Sequence, residues 1–372
     1  MNSFIRALII ALISEALLFS LACSKQDANW TGKTYEEDGV VVVKNPSKPI
    51  YEGNPCSFEL EVSIGNNTRS KDDSFTEIGS IAVDENENIY VSDIKESHIK
   101  VFNQRGTYLR TIGKKGQGPG EFDYITRIEL NRESQLVVFD GNTRRISFFT
   151  PDGKLIANLS TKEIAATDLI LDSTGRFLAI SFGIDLNKNE AITELKLFNS
   201  DQSFIKTIIT SDPASIFNPF SPFIQRKPYK NGNYLCAYNK NYELLVYDPE
   251  WQLKKKITKD YVPEEITSEE KKTSLKMYPQ LRTMGFPSKH PAFSQFTIDD
   301  DDRVYVQTWE MSEKENVYYY DVFDALGRYV AKVPFRHQPR LWKKGKLYTI
   351  EESIDGFQLI RIYKVTWDLK SF

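Results

Sequence analysis

Short apolar runs that end in an aromatic residue recur along the chain. Ile99-Lys100-Val101-Phe102 is the first, and the next three closing aromatics follow at intervals of 47, 49 and 49 residues. Runs of this length, rich in β-branched and aromatic side chains, predict β-strands. A period of about 40 to 50 residues made of short strands is typical of a β-propeller, in which each repeat forms one blade. The closing aromatics are Phe102, Phe149, Phe198, Tyr247, Phe323 and Tyr363.

The rest of each repeat supplies the other strands of a blade. A strand such as Ile81-Ala82-Val83-Asp84 begins the repeat, and a second apolar run such as Ile89-Tyr90-Val91 follows it. The joining turns, such as Pro151-Asp152-Gly153, contain the Asp, Asn and Gly residues that tolerate the positive φ angles of hairpins. Six such repeats are present. The sequence therefore predicts an all-β fold, a six-bladed β-propeller that spans residues 57–372.

The ends of the repeat array indicate how the ring closes. Only nine residues follow Tyr363, too few for a turn and a fourth strand. An additional strand, Leu60 to Gly65, precedes the first repeat and resembles the fourth strand of that repeat, Leu109 to Gly113. We therefore expect the N-terminal strand to close the last blade, because this removes the weak seam of an open ring.

Residues 1–22 have the pattern of a secretory signal peptide. Arg6 precedes an apolar core that runs from Ala7 to Leu21, and a small residue stands before Cys23. The last positions resemble the lipobox of bacterial lipoproteins, in which Cys23 would be lipidated and become the mature N-terminus. Ser20 stands where Leu is usual and Glu15 interrupts the apolar core, so cleavage by ordinary signal peptidase at the same bond is the alternative.

Residues 23–56 are polar and contain three prolines, and we interpret them as a lipid-attached tether with one strand packed on the domain. The resemblance to lipoproteins implies attachment to a membrane of the bacterial cell envelope, with the domain outside the cytoplasm. Ser24, after Cys23, is compatible with sorting to the outer membrane by analogy with other lipoproteins.

Net charge argues against one class of partner, and the positions of the cysteines argue against a disulfide. The net charge of −3 and the absence of a basic tail argue against a nucleic-acid partner. Beyond Cys23 the chain contains Cys56 and Cys236, which fall roughly across the predicted ring from each other. We expect two buried, unpaired thiols rather than a disulfide.

The repeats resemble the NHL-repeat and TolB-like six-bladed propellers found among bacterial lipoproteins. The resemblance rests on Ile81-Ala82-Val83-Asp84, on Asn88-Ile89-Tyr90-Val91-Ser92-Asp93, on Ile99-Lys100-Val101-Phe102 with Gly106, and on the loop from Gly113 to Phe122. It is strongest in blades 1 and 2. It implies a propeller fold, but many such propellers are binding scaffolds, so it does not imply an activity.

Loop lengths predict which face of the propeller carries the site. The turns that join the first strand to the second and the third strand to the fourth are short, whereas the remaining connections contain every long segment. Long loops on a rigid scaffold are where binding usually resides. The longest segment, 259–293, is predicted to contain a helix that Thr267 or Ser268 caps and that runs to Met277. It forms either a lid or a decoration that packs on the blade rim.

Basic and aromatic side chains on these loops form the predicted ligand site. Arginine together with aromatic rings suits recognition of carboxylates, glycans or peptides. Alternatively, several of these arginines would pair with Asp93 and Asp140 at the blade edges. We expect a binding scaffold for a peptide, protein or glycan, with no catalytic residue, cofactor or metal. The candidate residues are Tyr124, Arg127, Arg226, Tyr229, His290, Trp309, His337 and Arg340.

The alternative function is a metal-dependent hydrolase or lyase with a site at the mouth of the central channel. His98, His290 and His337 fall on the long-loop face in blades that are neighbours in a closed ring. Three histidines can hold a catalytic zinc ion. None of them has a closely spaced partner in the sequence, and His98 begins a third strand far from the axis.

Overall fold

The computed structural model describes residues 30–65, 72–185, 187–188, 190–215, 218–312, 317–336 and 338–368. The predicted signal peptide (1–22), Cys23 and His337 lie outside these ranges. Within the described ranges, no helix is long and apolar enough to cross a membrane.

Six sheets form the ring, one for each blade. The first strands contact one another between blades 1 and 2, 4 and 5, 5 and 6, and 6 and 1. The strands before blade 1 and in blades 1 to 3 are β1 (Lys33–Glu37), β2 (Val40–Asn45), β3 (Cys56–Ile64); β4 (Ile78–Val83), β5 (Ile89–Asp93), β6 (His98–Phe102), β7 (Tyr108–Ile112); β8 (Ile125–Leu130), β9 (Leu136–Asp140), β10 (Arg145–Phe149), β11 (Leu155–Ser160); β12 (Asp168–Leu171), β13 (Phe177–Asp185), β14 (Glu190–Phe198), β15 (Phe204–Thr210) and the short β16 (Ala214–Ser215). The strands of blades 4 to 6 are β17 (Ile224–Pro228), β18 (Tyr234–Tyr238), β19 (Glu243–Tyr247), β20 (Leu253–Lys259); β21 (Phe296–Ile298), β22 (Val304–Ser312), β23 (Val317–Phe323), β24 (Tyr329–Phe335); β25 (Pro339–Lys343), β26 (Lys346–Glu352) and β27 (Gln358–Trp367).

The predicted fold class and ring closure are confirmed. The last blade has the order β25-β26-β27-β3, so the N-terminal strand β3 supplies its outer strand. β3 and β27 pair antiparallel from Cys56 opposite Trp367 to Ile64 opposite Ile360. This long ladder joins the two ends of the propeller in one sheet and leaves no open seam.

The segment before β3 is more ordered than the tether that we expected. Its described part contains the hairpin β1-β2, and β2 pairs parallel with the outer strand β20 of blade 4, which makes that blade six-stranded. Asn45 at the end of β2 is fully buried, and its amide donates to the carbonyls of Thr258 and Gly327 at 3.1 and 2.9 Å. Its side-chain oxygen accepts from the Tyr329 backbone amide at 2.8 Å. Because every polar atom of Asn45 has a partner, the hairpin is bonded to blades 4 and 5.

The repeated aromatics coincide with an irregularity in each blade. At all six of them, the register between the third strand and the outer strand shifts, so Phe102 lies opposite Tyr108 and Phe149 opposite Leu155. Such a bulge increases the local twist of a strand pair. Five of the aromatics end their strand, whereas β27 continues past Tyr363 because it remains paired with β3. The sequence period therefore marks a repeated bulge as well as a strand end.

The two faces of the ring differ as the sequence predicted. On the short-turn face, which carries the first-to-second and third-to-fourth strand turns, one polar side chain organises most of the tight turns. Asp84, for example, accepts from the backbone amides of Asn86 and Asn88 at 2.9 and 2.8 Å. The long-loop face carries the other connections. Each innermost strand therefore begins at the long-loop face and ends at the short-turn face.

The longest connection contains the predicted helix. Helix α1 (Ser268–Met277) begins after Thr267, which forms a capping box with Glu270, and a short helix α2 (Leu281–Met284) follows. Leu281 is fully buried, and Phe286 contacts Phe220 of the preceding blade connection with ring centroids 5.8 Å apart. The segment is thus packed on the long-loop face over blades 3 to 5.

A buried ion pair joins blades 4 and 5. Asp321 is fully buried and accepts from the Lys259 ammonium at 2.9 Å and from the hydroxyls of Tyr242 and Tyr329 at 2.6 Å each. The Lys259 ammonium also lies over both tyrosine rings, 5.0 and 4.7 Å from their centroids. Lys259 and Tyr242 belong to blade 4 and Tyr329 to blade 5, so the partners of this carboxylate come from both blades.

The two cysteines are free and buried, as predicted. Burial raises the pKa of both thiols to about 12. Because only the thiolate is strongly nucleophilic, Cys56 and Cys236 are inert core side chains.

Candidate functional site

A cluster of charged side chains lies in the central channel. Arg127 is the third residue of β8, Asp168 the first of β12 and Arg226 the third of β17, so all three belong to innermost strands. Arg127 donates to both carboxylate oxygens of Asp168 at 2.9 and 3.1 Å, and Arg226 donates to one of them at 3.0 Å. One carboxylate from blade 3 therefore joins arginines from blades 2 and 4.

Asp168 is ionised in this arrangement. Burial alone would raise its pKa, but the positive charges of Arg226 and Arg127 outweigh that effect and lower it. The Arg226 side chain is only 5% exposed, whereas the Asp168 side chain is 44% exposed. The carboxylate thus keeps an open side toward the channel while the guanidinium beneath it is enclosed.

Two more basic side chains extend the cluster. Lys227 on β17 and Arg340 on β25 are both exposed, and neither has an ion pair or side-chain hydrogen bond with the described part of the chain. Desolvation lowers the pKa of Lys227, and repulsion by Arg127, Arg226 and Arg340 lowers it further. Because β17 and β25 are innermost strands, Lys227 and Arg340 both border the channel.

Glu129, the fifth residue of β8, is the second carboxyl of the channel. Its side chain is only partly exposed and has no hydrogen bond or ion pair within the described ranges. Desolvation raises its pKa to about 7, against the opposing effect of Arg127. Four basic groups therefore face one ionised carboxylate and one carboxyl that is half protonated near neutral pH. The channel has a net positive charge.

A cleft between blades 2 and 3 lies beside this channel at the short-turn face. Its volume is about 660 Å³, and it reaches the innermost strands at Glu129 and Pro228. Among the described residues, the apolar cluster between these two blades contains six buried side chains and six partly buried ones that pack against them.

The structure brings three of the predicted site residues together in the channel: Arg127, Arg226 and Arg340. The predicted alternative, in which such arginines pair with Asp93 and Asp140 at the blade edges, does not describe these three side chains. Asp93 and Asp140 accept backbone amides of their own blade connections, at 2.7 Å from Thr76 and at 2.8 Å from Asp123. Tyr124 lies on the long-loop face with 44% of its surface exposed, outside the charge cluster.

The predicted position of Tyr229 was wrong. It follows β17 directly, so it lies in the turn at the end of an innermost strand, on the short-turn face. It is 7% exposed and packs with the apolar cluster that joins blades 4 to 6, although it also borders the cleft. The five residues of β17 span the ring from the long-loop face to the short-turn face, so Tyr229 lies at the opposite mouth of the channel from the predicted one.

His290 and Trp309 lie together but away from the channel. Their rings stack with centroids 4.1 Å apart, and the imidazole Nε2 lies 3.1 Å from a carboxylate oxygen of Glu270 on α1. His290 borders a separate pocket of about 410 Å³ under the long connection. This pair fastens the helical segment to blade 5.

The described residues offer no cluster of three His, Cys, Asp or Glu side chains that could hold a metal ion. His98 begins β6, the third strand of blade 1, as expected from the sequence.

Sequence analysis missed Asp168 and Glu129. Both lie within short apolar segments, Ile125-Thr126-Arg127-Ile128-Glu129-Leu130 and Asp168-Leu169-Ile170-Leu171, that were assigned only as strands. Charged residues in the first strand of a blade face the axis or a blade junction, where burial is expensive without a partner. A charged residue within the first strand of a blade was therefore the sequence signal that could have identified Asp168 and Glu129.

Solved structures of other proteins share the fold of this chain. The chain is similar to a protein from Bacteroides fragilis described as exported, with a TM-score of 0.56 and 10% identity over 88% of this chain and 99% of the other. It is also similar to a member of the duf4221 family from Bacteroides vulgatus, with a TM-score of 0.53 and 12% identity over 85% and 99% of the two chains. These identities show a shared fold alone. No functionally curated protein matches the chain.

The model of one protein family, DUF5128, described as a 6-bladed beta-propeller, matches residues 68–324, which is more than half of the chain. The six sheets, the closed ring and this match agree. The chain belongs to the DUF5128 family of six-bladed β-propellers.

Proposed function

We propose that this propeller is a non-catalytic binding protein whose central channel recognises a carboxylate group on a peptide or glycan ligand. The observation that carries the proposal is the convergence of Arg127, Arg226, Lys227 and Arg340 on a channel with one fully ionised carboxylate. Guanidinium groups and carboxylates form short, charge-assisted hydrogen bonds. Lys227 and Arg340 are the ligand-binding groups, since Asp168 already engages the other two.

The location of the protein is part of this proposal. The N-terminal pattern around Cys23 supports a lipid-anchored protein of the bacterial cell envelope, with the propeller outside the cytoplasm and the outer membrane as its site of attachment. The similarity of the fold to a protein described as exported is in keeping with that location. A protein or an anionic glycan at the cell surface would reach the channel through the long-loop mouth, since Arg340 is the second residue of β25 and lies near that mouth.

The proposal is tested with benzoate and its neutral isostere benzamide as probes in isothermal titration calorimetry. We expect benzoate to bind and benzamide not to bind, with weaker benzoate binding at high salt because the attraction is screened. Lys227→Gln and Arg340→Gln should each weaken benzoate binding by at least about tenfold, since a hydrogen bond to a charged group contributes about 1.5–3 kcal/mol.

The matched control is Lys254→Gln, which makes the same charge change on the outer strand of blade 4, where the side chain is 56% exposed. It should leave benzoate binding unchanged. Equal effects of Lys227→Gln and Lys254→Gln, or equal binding of benzoate and benzamide, would count against a carboxylate site in the channel.

A further inference from the structure

The cleft between blades 2 and 3 has an apolar wall. Phe148 on β10, Leu159 on β11 and Leu171 at the end of β12 line it, and all three are only partly buried. These side chains belong to the small apolar cluster between the two blades but are not covered by it. Exposed apolar surface inside a concave site is typical of a binding pocket for a small molecule.

The cleft adjoins the charged channel at two residues. Glu129 and Pro228 line the cleft and stand on the same innermost strands as Arg127 and Lys227. The carboxyl of Glu129 lies at the junction, with positive charge on its channel side and apolar side chains on its cleft side. A ligand that passes this junction therefore meets basic groups at one end and apolar groups at the other.

We propose that the ligand is an amphiphilic carboxylate, with its carboxylate beside Lys227 and Arg340 and its apolar part in the cleft between blades 2 and 3. This inference rests on the proposed function, because it assumes that the channel holds the carboxylate. The cleft volume of about 660 Å³ lies within the range of small-molecule sites. An acyl chain that ends in a carboxylate has this chemistry, and so does a peptide whose C-terminal residue is apolar.

Butyrate, hexanoate and octanoate, all below micelle-forming concentrations, measure the contribution of the cleft to binding by the full chain. We expect affinity to rise by about fourfold for each added methylene, because each buried methylene contributes about 0.8 kcal/mol. Octanol lacks the carboxylate and should bind at least tenfold more weakly than octanoate. N-acetyl-leucine in a parallel titration distinguishes the two sources, because it presents the apolar C-terminus of a peptide.

Two substitutions separate the two halves of the site. Leu171→Gln should remove most of the gain from butyrate to octanoate while butyrate binding is retained, because Leu171 lines the cleft at the end of the innermost strand β12. Lys227→Gln should weaken all three acids by the same factor. Ile156→Gln is the control for an apolar-to-polar change, since Ile156 is 48% exposed and does not line the cleft. Its chain-length series should equal that of the unmodified protein.

The outcomes keep the two proposals apart. If the unmodified protein binds butyrate and octanoate equally and Lys227→Gln weakens both, the amphiphilic ligand is overturned while the carboxylate site stands. If no carboxylate binds, the proposed function itself is overturned. The series on the unmodified protein decides the inference even if Leu171→Gln does not fold.

Discussion

Asp321→Asn should lower the free energy of unfolding by about 3–5 kcal/mol, the effect that removal of one partner from a buried ion pair usually has. Asp321 is fully buried, and the Lys259 side chain is 9% exposed. An amide cannot accept from Lys259, Tyr242 and Tyr329 as a carboxylate does, and the ammonium would remain buried without a counter-charge. Urea denaturation, monitored by near-ultraviolet circular dichroism, measures the change.

A double-mutant cycle shows whether the loss comes from the unpaired charge. In Lys259→Met/Asp321→Asn the buried charge is absent, so the double variant should be more stable than Asp321→Asn alone. Asp212→Asn provides the control, because it breaks the ion pair with Lys240, in which both side chains are more than half exposed. That change should cost less than about 1 kcal/mol. Similar losses for Asp321→Asn and Asp212→Asn would show that the buried pair does not stabilise the junction of blades 4 and 5.

The Asp321 cluster and the channel cluster contain similar side chains, but we assign a structural role to the first and a ligand-binding role to the second. Around Asp321, one carboxylate is matched by one ammonium and two hydroxyls that the packing of blades 4 and 5 fixes in place. In the channel, basic groups outnumber ionised carboxylates, and Lys227 has no ion pair within the described ranges. A structural cluster balances its charges internally, whereas the channel retains charge for an external partner. Asp321→Asn should therefore leave benzoate binding unchanged in the folded protein.

The sequence predicted the features of this fold that depend on local pattern. Strand periodicity predicted six blades, and Thr267 or Ser268 was predicted to cap a helix that runs to Met277. The structure confirms that helix, with Thr267 as the capping residue. Ring closure was predicted from a strand without a partner at one end and a blade without an outer strand at the other. Each of these inferences needed only neighbouring residues and the rule that sheet edges must be paired or protected.

Features that depend on contacts between blades were not predicted. The parallel pairing of β2 with β20 has no local signal, since a parallel partner can lie anywhere in the chain. Asp168 contacts Arg127 and Arg226 across 41 and 58 residues, and only the ring geometry brings these strands together. The wrong placement of Tyr229 arose from the assumption that residues next to a long loop remain on the loop's face.

Glu129→Gln should change how the stability of the protein depends on pH. Because the folded-state pKa of Glu129 is raised to about 7, the protonated form is favoured in the folded protein. Its contribution to stability is fully present below the unfolded-state pKa of about 4.3 and is lost as the pH rises through 7. The shift from about 4.3 to about 7 corresponds to a total loss of about 4 kcal/mol. Urea denaturation from pH 5 to 8 should show this decline in the unmodified protein relative to Glu129→Gln, which cannot ionise at this position.

The same carboxyl should make ligand binding pH-dependent. Benzoate is ionised throughout the range from pH 6 to 8. At pH 6 Glu129 is mostly neutral, and Arg127, Arg226 and Lys227 then face the ligand with Asp168 as the ionised carboxylate of the channel. At pH 8 the added negative charge opposes binding, so benzoate affinity should fall on the order of tenfold between pH 6 and pH 8.

Glu129→Gln should bind benzoate with nearly the same affinity at both pH values, close to that of the unmodified protein at pH 6. Glu250→Gln makes an equal charge change in an exposed turn of blade 4 and should retain the tenfold dependence. If Glu129→Gln and Glu250→Gln show the same pH profile, the carboxyl at the junction does not face the bound anion. If the profile becomes flat only in Glu129→Gln, the carboxylate of the ligand lies in the channel, within reach of the charges from blades 2, 3 and 4.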